Sequence, residues 1–143
     1  MRKSLHIFEK DITHNAFDDK DILSLIEAVR HGIKFAIFSS LASKSPFSLN
    51  EWSGYLHVSE RTMQRYQREK TTFDVLQSGI IVEITLLYKK GIELFSTKEI
   101  FNAWLETPNL SLGNIKPKDL LDTSFGINLL RDELTRIEHG VLA

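Results

Sequence analysis

Apolar residues recur at helical spacing along most of this chain. Ile22, Leu25, Ile26 and Val29 stand at i, i+3, i+4 and i+7, which predicts a helix capped by Asp19 or Asp21 and running through Arg30. Gly32 interrupts the pattern. Phe35, Ile37, Phe38 and Leu41 continue it from Ile33 to Ala42, and Pro46, which has no donor and restricts Ser45, closes the segment. Ser48 followed by Glu51 predicts a capping box opening a short helix through Leu56. His57-Val58 makes a tight turn, and Ser59 caps a helix to about Lys70. Further on, Ile100, Phe101, Trp104 and Leu105 mark a helix from Lys98 to about Glu106 that Thr107-Pro108-Asn109 breaks. Leu110 to Lys116 reads as loop, and Pro117 starts a short helix through Leu121. Thr123 caps the last helix, with Gly140 as its left-handed terminator. Residues 1 to about 18 show no sustained period and read as an arm.

Residues 74 to 95 fit two descriptions. Ile80, Ile81, Val82, Ile84 and Thr85 are β-branched and would suit a buried strand. As a helix, the segment gathers Ile80, Ile81, Ile84, Leu87, Tyr88 and Phe95 on one side, away from Glu83, Lys89, Lys90 and Glu93. Length favours the helix, since a strand of this extent is unusual. The chain is therefore expected to be all-α: an arm over 1–18, a helical domain over 19–95 with a helix-turn-helix at 48–70, and a small helical C-terminal domain over 96–143.

The block from Leu49 to Tyr66 looks like a helix-turn-helix, with apolar Leu49, Trp52, Leu56, Val58, Met63 and Tyr66 and a small residue, Ser53, where the two helices must approach. His57 occupies the turn, where glycine is commoner. On the second helix Arg61, Arg65 and Arg68 fall at i, i+4 and i+7, with Thr62 and Gln64 alongside. Arginine pairs with guanine edges or phosphates and glutamine with adenine. Ser59 leaves backbone N–H groups at the helix start that suit a phosphate. The competing reading is a solvated basic face on a packing helix. Glu60 and Glu69 dilute the charge, so useful DNA affinity requires a dimer with two such helices about 34 Å apart.

In the last helix Ile127, Leu130, Leu134, Ile137 and Val141 form a narrow seam that closes the core, with Leu120 and Leu121 adding a second apolar contact. Asp132 and Arg136 are spaced as an i, i+4 ion pair on the far side. Gly140-Val141-Leu142-Ala143 projects past the helix stop with two aliphatic side chains and a terminal carboxylate. Such an end suits insertion into a partner's pocket, and folding back on its own core is equally open.

Composition narrows the chemistry. At 143 residues the chain can form one medium domain or two small ones sharing a core. With 42% hydrophobic and 26% charged residues it has the make-up of an ordinary globular protein. A net charge of −1 provides no bulk attraction to nucleic acid, so a DNA contact must rest on a local patch. The absence of cysteine excludes disulfides and thiolate metal sites and fits a reducing compartment. No apolar run reaches the roughly 18–20 residues of a membrane span; the longest, Gly79 to Tyr88, contains Glu83. The basic start lacks an apolar signal region, so a cytoplasmic protein is expected. His6, His14, His31, His57 and His139 lack metal-ligand spacing, Ser39-Ser40 has no His/Asp arrangement, and no glycine-rich phosphate loop occurs. His139 is placed as a cation at a helix C-terminus. Neither catalysis nor a cofactor nor a metal is expected.

The joint order of these signals resembles the Xre/MbcA/ParS antitoxin family over the chain beyond the arm. It is carried by Ser59-Glu60-Arg61-Thr62, Phe95, Trp104-Leu105, Thr107-Pro108-Asn109, Leu112-Gly113, Pro117, Leu120-Leu121-Asp122-Thr123, Gly126 and Arg136-Ile137-Glu138-His139-Gly140. The resemblance implies that residues 74 to 95 are helical and that the C-terminal domain binds a toxin. It also implies a partner with a RES domain, which consumes NAD or modifies proteins with it. Family members dimerise, cover the toxin's NAD site with the C-terminal domain and its end, and bind their own promoter with the N-terminal half. Toxin contact then falls to Arg136, Glu138, Gly140, Val141, Leu142 and Ala143, and operator contact to Ser59, Arg61, Thr62, Gln64, Arg65 and Arg68. Asn114-Ile115, Leu142 and His57 depart from the family pattern. The alternative is a stand-alone dimeric transcriptional regulator without a toxin partner.

Overall fold

The computed structural model describes residues 19–140, so the expected arm and the residues Val141, Leu142 and Ala143 lie outside the described part. The described residues form helices α1 (Asp19–His31), α2 (Phe35–Ser43), α3 (Leu49–Tyr55), α4 (Glu60–Glu69), α5 (Val75–Phe95), α6 (Lys98–Glu106) and α7 (Ser124–Glu138), with 3-10 turns at Leu110–Leu112 and Pro117–Leu120. No strand occurs among them, and the fold is all-α. Two compact units divide the chain, one ending at Leu86 and the other starting at Leu87, so α5 contributes to both.

Within the segment 74 to 95, Val75–Phe95 is helix, not strand, and local chemistry accounts for it. The Asp74 carboxylate accepts from the Gln77 amide at 2.7 Å, while the Gln77 side chain accepts from the Asp74 amide at 3.4 Å. That reciprocal cap satisfies two donors that a helix start otherwise leaves open. Thr85 donates its hydroxyl to the Ile81 carbonyl one turn back, which satisfies that hydroxyl within the helix. Ile81, Ile84 and Tyr88 then fall on one buried side at 3-4 spacing.

In the first unit α1 already includes both Asp19 and Asp21, so neither expected cap stands outside the helix. The second helix begins at Phe35, two residues later than the periodicity predicted. Ile33 and Lys34 are drawn into an isolated bridge instead: the Phe73 amide donates to the Ile33 carbonyl at 2.8 Å, and the Phe35 amide to Thr71 at 3.0 Å. The Ile33 amide donates to the fully buried Ser78 hydroxyl at 2.8 Å. Gly32 makes this crossing possible. Its φ is +91°, and a Cβ there would stand 2.5 Å from the Phe73 carbonyl oxygen. Phe35, Phe38, Phe47, Trp52, Tyr55 and Phe73 fill the core, with edge-on contacts such as Phe38–Trp52 at 5.3 Å and Phe38–Phe73 at 5.2 Å between ring centroids.

The second unit has its own core, where the buried Phe101 ring meets Tyr88, Phe95 and Trp104 at 5.3–5.7 Å. The Tyr88 hydroxyl donates to Asn102 at 2.8 Å. Burial pushes this phenol above its ordinary value of 10.0, the bond to Asn102 works against that, and the Glu99 charge adds to it. Segment 110 to 116, expected as plain loop, contains a 3-10 turn closed by Asn109 donating to the Ile115 carbonyl and Asn114 donating to the Asn109 carbonyl. The buried Leu112 ties this turn to the unit's core.

Candidate functional site

Two surfaces carry the residues that sequence singled out. The first is the helix-turn-helix of the first unit. Ser48 and Glu51 form the capping box that starts α3, and Trp52, Leu56 and Met63 are buried to 2% exposure or less. Ser53 is buried too, and its carbonyl accepts from the Val58 amide at 3.0 Å, which closes the turn. His57 takes φ 59°, the left-handed turn conformation that glycine usually supplies. Histidine adopts it more readily than most residues, at a cost of about 1 kcal/mol. Asn50 donates to Glu60 at 3.1 Å, tying the start of α3 to the start of α4.

On α4 the Ser59 hydroxyl accepts from the Thr62 amide and donates to the Thr62 hydroxyl, so both side chains serve the helix cap. Arg61, Gln64, Arg65 and Arg68 are exposed together on the side away from the buried Met63. The Arg65 guanidinium lies 5.7 Å from the Tyr66 ring centroid. None of the ion pairs among the described residues engages these arginines. A row of free guanidinium groups on a rigidly capped helix can bind phosphates and base edges.

The second surface is α7 and its end. Thr123 accepts from the Gly126 amide at 3.0 Å and caps the helix; His139 is the C-cap, and Gly140 follows at φ 68°. Of the apolar seam, Ile127, Leu130 and Leu134 are buried and Ile137 is half-buried. Arg136 pairs with Glu133, not with Asp132 as the i, i+4 spacing predicted. The Ser111 hydroxyl, whose shorter bond at 2.6 Å goes to the Asn109 side-chain oxygen, also lies 3.2 Å from this carboxylate. Glu138 turns the other way. It lies 3.7 Å from Lys90, whose ammonium also donates to the Thr135 hydroxyl at 3.0 Å. Arg136 and Glu138, grouped by sequence, thus occupy different sides of the same helix. Arg136 is open to solvent, and Glu138 helps to hold the last turn of α7 against the C-terminal part of α5.

Sequence reasoning passed over Leu110, Phe125 and Leu129, which are exposed to 87%, 87% and 41% on this unit. Phe125 and Leu129 fall off the buried seam, and an apolar residue off the seam was the available signal. Among the described residues no group of three or more His, Asp or Glu side chains could hold a metal ion. No helix of the described residues is long and apolar enough to cross a membrane.

Known proteins resemble the chain over both surfaces. Residues 24–84 match a model of the antitoxin Xre-like helix-turn-helix domain, and residues 90–140 match one of the antitoxin Xre/MbcA/ParS C-terminal toxin-binding domain. The chain is 23% identical over 116 residues to the antitoxin Xre of Photorhabdus laumondii, covering 80% of this chain and 78% of that protein. It is also 23% identical over 120 residues to the antitoxin Xre of Yersinia enterocolitica, covering 83% and 81%.

Proposed function

The chain belongs to the Xre/MbcA/ParS antitoxin family, and from that premise we propose that it neutralises a RES-domain toxin by covering the toxin's NAD-binding active site. Antitoxin character, a helix-turn-helix and a toxin-binding domain come with the family, and neither matched domain is enzymatic. The covering element is the second unit, and its last residues reach into the entrance. The observation that carries this reading is the toxin-binding match over 90–140, which ends at Gly140, two residues past the last residue of α7.

The local geometry suits the role. Lys90 holds Thr135 and Glu138, so the chain leaves α7 from a fixed last turn and not from a frayed one. Ordering the helix end in advance lowers the entropy cost of placing Gly140, Val141, Leu142 and Ala143 in a partner. Arg136, exposed on the same helix, contacts the toxin's rim, and Glu138 acts by holding the turn.

The helix-turn-helix represses the operon in the same reading. Arg61, Gln64, Arg65 and Arg68 contact the operator, Ser59 and Thr62 set the helix start against a phosphate, and a homodimer supplies the second recognition helix. Both activities take place in the cytoplasm. Deleting Gly140 to Ala143 tests the inhibitory step: toxin activity should return during co-expression while helicity and operator binding persist. Full inhibition by the truncated protein would sink insertion of the tail. Operator binding by a chain that never inhibits the toxin would leave a stand-alone regulator.

A further inference from the structure

Among the described residues of the first unit, every exposed large apolar side chain lies on α1 or at the start of α5. They are Ile22, Leu23, Ile26, Val75 and Leu76, open to between 40% and 79%. At about 100° per residue, Ile22, Ile26, Arg30 and Leu23 share a sector of α1 about 100° wide. Leu25, outside this sector, is buried. The two helices meet beside the sector, since a Cβ at Gly79 would stand 3.9 Å from the Val29 side chain. Ile22 and Ile26 precede Val29 by two turns and one, and Val75 and Leu76 precede Gly79 by one turn, so all four flank that contact along their own helices. Past the end of α1, Gly32 abuts Thr72 and Phe73, and the Ile33 amide donates to Ser78. The start of α5 therefore continues the apolar strip beyond the C-terminal end of α1.

We propose that this strip is the surface on which two copies of the chain pair, through a two-fold, antiparallel contact of their α1 helices. The inference rests on the homodimer of the reading above and adds the face that forms it. Charge complementarity selects a second copy as the occupant. Glu27 and Arg30 are exposed along the apolar sector, and neither joins an ion pair among the described residues. A two-fold axis passing between them brings Arg30 of each copy to Glu27 of the other, so one helix supplies both halves of the polar rim. The same axis lays Ile22, Leu23 and Ile26 of each copy toward Val75 and Leu76 of the other. The five apolar side chains leave on the order of 500 Å² open, more than half of the about 800 Å² that each partner buries in a standard interface. None of these residues belongs to α4, so the contact does not use the recognition helix of either copy.

Sedimentation equilibrium of the full chain tests the face. Leu23→Asp and Leu76→Asp should each shift the mass from dimer toward the 16.5 kDa single chain. Helicity and thermal midpoint should hold, because both side chains are largely open in the single chain. Reversing one charge, by Glu27→Arg or Arg30→Glu, should weaken dimerisation by about tenfold or more, and combining the two should restore it. These reversals decide the matter even where an aspartate variant does not fold. Undiminished dimerisation in all four single variants overturns the proposal, and so does a double reversal that dimerises no better than its parents. Variants that stay dimeric but lose toxin binding assign the strip to the toxin and overturn it equally. If the unsubstituted chain is monomeric, the homodimer reading fails as well; if it is dimeric and the variants match it, only this face fails.

Discussion

Gly126 shows how much a single atom decides in the second unit. It lies buried in the first turn of α7, and a Cβ at this position would come 1.8 Å from the Leu120 carbonyl oxygen. The obstacle is backbone, so no side-chain rotation relieves it, and the Pro117–Leu120 turn or the helix must move. Gly126→Ala should therefore destabilise the protein by about 2–3 kcal/mol, read from urea or thermal unfolding. An unchanged midpoint would mean that the turn shifts freely and that the close approach has no structural weight. His57 works in the opposite sense, since it holds a glycine-like φ of 59° with a side chain attached. In sequence it is a departure from the usual turn residue, but the turn itself is formed, with Ser53 accepting from Val58 across it.

Among the elements, α4 and α7 carry the proposed partner contacts, and each starts from a side-chain cap. Capping satisfies an N–H that the first turn leaves open and is worth about 1 kcal/mol, which keeps a short helix from fraying. On α4 this rigidity presents Arg61, Arg65 and Arg68 as a fixed row. Arg65→Ala should weaken operator binding and lower the slope of log affinity against log salt by about one for each phosphate that Arg65 neutralises. Fluorescence anisotropy at several salt concentrations measures both. Wild-type affinity and slope in the Arg61→Ala, Arg65→Ala double variant would leave the row as a solvated face. On α7 the ends differ in kind: Thr123 secures the start through its own neighbour, whereas Lys90 secures the finish from another helix.

At the scale of the whole molecule, the chain comprises two compact units that share α5 in sequence, each with an aromatic core of its own. The two family matches, over 24–84 and 90–140, correspond to a DNA-facing and a toxin-facing function. The proposed homodimer follows from energetics, since one short recognition helix in a chain of net charge −1 offers few phosphate contacts. Light scattering of the full chain should give about twice its 16.5 kDa mass, and the operator footprint should show two half-sites about one helical turn apart. A monomeric mass on DNA would remove the dimer from the mechanism.

Most of the fold is legible in the sequence because its determinants are local. Ser48 with Glu51, Ser59, Thr123 and Gly140 act through neighbours within one turn, and each takes the role that its type and position predict. The buried seam of α7 is equally plain from its spacing. The cap that makes 74 to 95 a helix, Asp74 with Gln77, is also local, but the β-branched run beside it favours a strand and obscures it. Only the tertiary structure decided the rest. It paired Arg136 with Glu133, whose carboxylate also lies within reach of Ser111, 22 residues earlier in sequence. It placed Glu138 against Lys90, delayed α2 to Phe35 through the pairing with Thr71 and Phe73, and left Phe125 and Leu110 uncovered. Periodicity specifies which residues share a side of a helix; which of those sides meets another element depends on contacts between residues far apart in the chain.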